Sequence, residues 1–104
     1  MTRMIQCVSP VDGRVYAERP ALSPEAADAA AARARAAQGA WAALPLDERI
    51  ERVRAGVAAL KDAREVIVEE LAWQMGRPVR YGGEFGGIDE RADYMAGIAE
   101  EALA

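Results

Sequence analysis

The sequence predicts a mainly α chain, with a short N-terminal β-hairpin followed by three helices over about 24–42, 47–75 and 79–103. Three observations predict it. Apolar residues recur every three or four positions from Ile50 to Met75 and again from Tyr81 to Leu103, a spacing that gathers side chains on one helical face. Ser23-Pro24-Glu25 carries the chemistry of a helix start. Before it, the residues alternate around a turn cluster instead of cycling.

That cluster is Ser9-Pro10-Val11-Asp12-Gly13, flanked by Met4, Gln6 and Val8 on one side and by Arg14, Val15, Tyr16 and Ala17 on the other. Pro followed by Asp-Gly between alternating runs reads as a hairpin, with strands near 4–8 and 14–18. A two-stranded ribbon is marginal in water and needs a sheet or helix to lie against.

In the first helix Ser23 can accept a hydrogen bond from an orphan amide, Pro24 is preset for the first turn, and Glu25 meets the positive end of the dipole. Its inner stripe is Ala26, Ala30 and Ala37, closing with Trp41 and Leu44. Alanines let a neighbouring backbone approach but bury little, so this helix depends on tertiary contacts. Leu44-Pro45-Leu46-Asp47 breaks the run, and Asp47 or a neighbour is expected to cap the second helix. Ile50, Val53, Val57, Leu60, Ile67, Leu71 and Met75 then form one row, with Arg64 in the slot between Leu60 and Ile67. Gly76 ends the row and Pro78 prevents resumption. A helix over 47–75 would be roughly 42 Å long at 1.5 Å per residue, against a radius of gyration of about 13 Å for a 100-residue globule. It is expected either to pair with another copy or to lie across a larger body.

The third helix carries Tyr81, Phe85, Ile88, Ala92, Met95 and Leu103 on one row, together with five glycines. Each glycine costs about 0.8–1.0 kcal/mol against alanine, so its first turns should be weak. The row stops at Ala104 without a capping glycine, which is expected of a segment that continues.

Composition excludes several function classes. Of the 104 residues, 24 are alanine, which leaves few side chains able to fill a core. The net charge is -4, with 13 basic residues interleaved among 17 acidic ones, so no basic stripe is available for phosphates and neither nucleic acid nor an anionic membrane is an expected partner. No apolar run approaches the roughly 20 residues that span a bilayer. The N-terminus lacks a secretory apolar core, and a cytoplasmic chain is expected. There is no histidine, which removes the commonest general base and metal ligand. Cys7 is the single cysteine and reads as a small half-buried thiol rather than a nucleophile.

Gly82-Gly83-Glu84-Phe85-Gly86-Gly87 resembles a phosphate loop only in composition: no glycine in it starts a GxGxxG triplet, and GxxxxGK[ST] is absent. Close backbone packing is the better reading. Asp89–Glu90 and Glu100–Glu101 are neighbours on a helix and point about 100° apart, so they make solvated surface rather than an acid–base pair. Trp41 and Trp73 read as core or interface anchors.

Taken in order, SPVDGRVYAERPALSPEAADAAAARARAAQGAWAALPLDER, IERVRAGVAALKDAREVIVEELAWQMGRP and DERADYMAGIAEEAL resemble the amino-terminal part of the NAD(P)-dependent aldehyde dehydrogenase superfamily. The matching features are a Ser-Pro-x-x-Gly turn, an alanine-rich helix closing on Trp, a Leu-Pro-x-x-Arg step, a helix closing on Gly-Arg-Pro, and Tyr-x-Ala-Gly in the last helix. They span Cys7 to Leu103. The resemblance implies that residues 1–104 are an incomplete part of the cofactor-binding domain, its outer elements, with the Rossmann sheet and the catalytic domain absent. For the intact protein it implies oxidation of an aldehyde to a carboxylic acid through a thiohemiacetal on a cysteine, with hydride passing to NAD or NADP. The family's nucleophile, base, oxyanion site and nucleotide loops lie beyond residue 104, so the chain is expected to carry no catalytic, cofactor-binding or metal-binding residue.

Two narrower expectations come with it. In the family the start of the third helix lines the mouth of the substrate tunnel, and the corresponding face here holds Gly83 and Gly87, which implies a wide mouth and a bulky or extended aldehyde. Some members also bind a monovalent cation through an aspartate two residues before the helix-ending glycine. Gln74 stands there and is neutral, so no metal is expected. The remainder of a dehydrogenase chain, or another copy of this one, is the partner implied. The alternative is a free-standing helical interaction or oligomerisation module derived from the same family.

Overall fold

The structure is a computed structural model and describes residues 2–82 and 85–104. The expected class holds: it is mainly α, with an N-terminal antiparallel hairpin followed by four helices. The chain divides into two units, one made of the residues up to Ala43 with Trp73–Gly76, the other of Leu44–Ala72 with Arg77–Ala104.

In the first unit β1 (Met4–Val8) pairs with β2 (Val15–Pro20), Cys7 facing Ala17 and Met4 facing Pro20, with an irregularity between Cys7 and Val8. The intervening turn is closed at its base, where the Ser9 amide donates to the Arg14 carbonyl at 2.8 Å and the Gly13 amide to the Ser9 carbonyl at 2.9 Å. Asp12 Oδ1 accepts from the Arg14 amide at 3.0 Å, the short side-chain turn for which Asp is selected.

Helix α1 (Pro24–Ala43) starts as its sequence predicts: Ser23 Oγ accepts from the Ala26 amide at 3.1 Å. The backbone hydrogen bond that Glu25 accepts, helped by the Ser23 hydroxyl, lowers the Glu25 carboxyl below its ordinary value. Of the expected stripe Ala26, Ala30 and Trp41 are half-buried, while residues 31–40, Ala37 among them, are exposed.

The last turn of helix α3 (Arg64–Met75) belongs to the same unit. Its carbonyls have no intrahelical donor, and the hairpin supplies two. Ser9 Oγ donates to the Trp73 carbonyl, and Cys7 Sγ donates to the Gln74 carbonyl at 3.7 Å. Ser9 Oγ also accepts from the Val11 amide at 3.2 Å, so this serine, 1% exposed, has every polar group engaged. Tyr16 stacks on Trp73 with centroids 6.3 Å apart and planes 8° from parallel, an offset aromatic pair. Gly76 follows the helix at a φ of +74°, and a Cβ there would lie 3.2 Å from Pro10 Cγ. The Ser-Pro turn and the glycine-terminated helix end are thus one joint.

In the second unit α2 (Leu46–Asp62) packs against α4 (Phe85–Ala102). Pro45, not Asp47, stands at the N-terminal cap of α2, with no side-chain cap bond; its carbonyl accepts from the Arg49 amide at 3.1 Å. Asp47 lies inside the first turn. The single helix expected over 47–75 is two helices of 17 and 12 residues. Ala63 separates them with φ -89° and ψ 9°, its amide donating back to both Leu60 and Lys61 carbonyls. That is the sparsely used bridge conformation at a tightened helix end. No proline or glycine marks it. The break falls one residue before Arg64, the side chain that interrupted the apolar row. The two helices are about 25 and 18 Å long.

The third expected helix, over 79–103, also starts later. Val79–Tyr81 is a single 3-10 turn and Gly82 follows with φ 62° and ψ 166°, a region open in practice only to glycine. The regular helix begins at Phe85. Phe85, 6% exposed, is the buried hydrophobic residue among those described.

Ser9→Ala should leave the Trp73 carbonyl and the Val11 amide without their partner inside the joint. The expected cost is about 1–3 kcal/mol, read as a lowered urea midpoint by tryptophan fluorescence. A change under ~0.5 kcal/mol would show that the Ser9 hydroxyl does not hold the joint.

Candidate functional site

Two places in the chain gather chemistry, one in each unit. In the first the joint brings Cys7, Ser9, Tyr16 and Trp73 together. Cys7 is half-buried and its thiol is occupied as a donor to the Gln74 carbonyl, as suits a packed thiol rather than an attacking one. A shallow depression lies beside it, bounded by Ser9, Asp12, Arg14 and the Tyr16–Trp73 pair. Trp73 is 38% exposed, so it is an anchor with one ring face against Tyr16 rather than a core residue. The Gln74 position is half-buried and presents a backbone carbonyl to the thiol. Among the described residues no group of three or more His, Cys, Asp or Glu side chains is placed to hold a metal.

In the second unit a charged groove runs between α2 and α4, with Val57, Ala58 and Ala92 in its floor and Arg54, Lys61, Asp89 and Asp93 along its walls. Lys61 Nζ and Asp89 Oδ2 meet at 2.8 Å across it. The hydrogen bond to Asp89 raises the Lys61 ammonium above its ordinary value, the Asp89 charge adds to this, and the Asp93 charge contributes further. Read as free surface in the sequence, Asp89 is the partner that closes α4 on α2. Nothing in the spacing of one helix could reveal it, because Lys61 lies 28 residues earlier. Glu48, by contrast, pairs with Arg52 one turn away at 2.6 Å, as expected of a solvated face. Glu100 and Glu101 are exposed.

Of the two glycines singled out for the substrate mouth, Gly83 lies outside the described residues. Gly87 is exposed in the first turn of α4, and a Cβ there would meet nothing within 4 Å. It borders a shallow, mostly apolar depression with Ile88, Arg91 and Met95. What the sequence reading missed near it is Arg64. Its guanidinium carbon sits 6.0 Å from the centre of the Phe85 ring, and its Nη2 lies 2.7 Å from where a Gly82 Cβ would be. The one available signal was a charged residue in an apolar row.

These groups can hold chain segments together. No helix of the described chain is long and apolar enough to cross a membrane.

The aldehyde dehydrogenase family model matches residues 1–104, the whole of the chain, which therefore belongs to that family. No curated protein and no solved structure matches it.

The Lys61–Asp89 pair makes stability depend on alkaline pH. A raised ammonium contributes in full below the ordinary lysine value of 10.5 and loses its contribution as pH climbs through the raised value. Urea midpoints taken on both sides of that range should fall further for the wild type than for Lys61→Met. The effect is small because both side chains are more than a third exposed. Equal losses in the two proteins would mean that the pair does not stabilise the fold.

Proposed function

We propose, on the premise of that family membership, that these residues are the amino-terminal scaffold of an NAD(P)-dependent aldehyde dehydrogenase. The intact form would oxidise an aldehyde to a carboxylic acid. The observation that carries the scaffold reading is apolar surface left without cover. Ile5, Val8, Val11, Leu22, Val66 and Val79 are each more than half exposed. Further residues of the same dehydrogenase chain are the cover proposed, in a cytoplasmic protein.

The described residues do not fit a dinucleotide. Such a site needs a strand, a glycine-rich turn and a helix whose N-terminus is free for the pyrophosphate. The sheet described here is an antiparallel hairpin, and the N-terminus of the helix after it, α1, is taken by the chain's own Glu25 and Ser23. No step of hydride transfer is therefore assigned to this chain, and the nicotinamide belongs with the rest of the enzyme.

Gly87 gives the proposal a substrate class. A residue without a side chain, opening on an apolar depression, leaves room at the entrance for a bulky or extended aldehyde.

The test is the protein as expressed from its own gene. A mass well above 11.2 kDa, with NAD(P)H formed on adding aldehydes, is expected. A gene product of 11.2 kDa that forms dimers and reduces no NAD(P) would sink this reading in favour of a helical association module. In the active protein, aromatic or long-chain aldehydes should match or exceed acetaldehyde in kcat/KM, and Gly87→Leu should lower that ratio at least threefold. A tenfold wild-type preference for acetaldehyde would overturn the substrate class.

A further inference from the structure

The start of α4 is held in an unusual way. Its first turn, Phe85-Gly86-Gly87-Ile88, contains no acidic residue, and the guanidinium of Arg64 lies over the Phe85 ring. A cation at the positive end of a helix is electrostatically unfavourable. The placement is that of a cation over the face of an aromatic ring, an attraction that offsets the unfavourable dipole. Arg64 leaves the apolar row at the Ala63 break, passes the bare α-carbon of Gly82 and reaches the ring of the buried hydrophobic residue Phe85. Gly82 is required by a backbone conformation open in practice only to glycine, and an Arg64 nitrogen lies 2.7 Å from where its side chain would begin. With two glycines following Phe85, the first turn has little of its own to hold it.

We propose that Arg64 is a positioning residue that fixes where α4 begins and, through it, how wide the aldehyde entrance at Gly87 stands, an inference resting on the dehydrogenase reading above. Arg64 touches neither substrate nor cofactor in this scheme. It acts through Phe85, two residues before Gly87, by the contact of its guanidinium with the ring.

The experiment uses the intact protein and two readouts. One is the ratio of kcat/KM for an aromatic aldehyde to that for acetaldehyde. The other is hydrogen exchange at the amides of residues 89–92, which close the first turns of α4. Arg64→Ala should shift the ratio at least threefold and speed the exchange at least threefold, with the α2 amides unchanged. Arg64→Lys, which keeps a cation within reach of the ring, should restore both at least in part, whereas Arg64→Met should not. Gly82→Ala should move both readouts in the same direction as Arg64→Ala, because the new methyl displaces the guanidinium. An unchanged ratio, an equal loss on both aldehydes, or unaltered exchange overturns the proposal, and so does full rescue by Arg64→Met. An intact protein inactive on every aldehyde sinks the dehydrogenase reading and the entrance with it. The exchange data then still decide whether Arg64 holds α4.

Discussion

A helix that ends must dispose of its last carbonyls, and α3 does so with side chains sixty-odd residues earlier in the chain. The hydroxyl of Ser9 and the thiol of Cys7 donate to the carbonyls of Trp73 and Gln74. The rest of the first unit follows from that contact. It puts Pro10 against the bare α-carbon of Gly76 and Tyr16 flat on Trp73. It also gives a two-stranded ribbon the support it needs. Ser9 can do this because its own amide and carbonyl are already spent closing the turn, leaving the hydroxyl free to serve the helix. Burying so small a polar residue is tolerable because each of its groups is paired.

The second unit solves a different problem with equally few large side chains. Alanine supplies close approach between α2 and α4 but little apolar area, so orientation falls to the Lys61–Asp89 pair and to Arg64 over Phe85. Each is weak alone: the ion pair is substantially exposed, and so is Arg64. A unit held by such contacts is expected to be loosest where glycines cluster, at the start of α4. In a dehydrogenase that would place the most adjustable turn of this segment next to the proposed entrance.

Family membership and the sparse packing fit together. A chain with 24 alanines and one buried hydrophobic residue among those described leaves apolar strand and helix surface without cover. In a scaffold segment that surface is interface.

Much of this was legible in the residues. The hairpin around Ser-Pro-Val-Asp-Gly, the start of α1 at Ser23-Pro24 and the stop at Gly76 all rest on local rules, since turn chemistry and caps act within a few residues. The family could be read from the order of those same local signals. Gly87 was legible only through the resemblance, and its exposed, open surroundings came from the fold. Hidden from the sequence were the contacts between distant residues. Ser9 reaching Trp73, Lys61 reaching Asp89 and Arg64 reaching Phe85 join positions that no periodicity relates. The break at Ala63 belongs with them: a row of apolar residues three and four apart describes one helix or two equally well, and no proline or glycine decides between them. Sequence by itself determined where the chain turns and which faces are apolar, because those are properties of short segments. Only the tertiary structure decided which helix end is capped by which loop, and where a continuous pattern breaks, because those depend on what lies alongside.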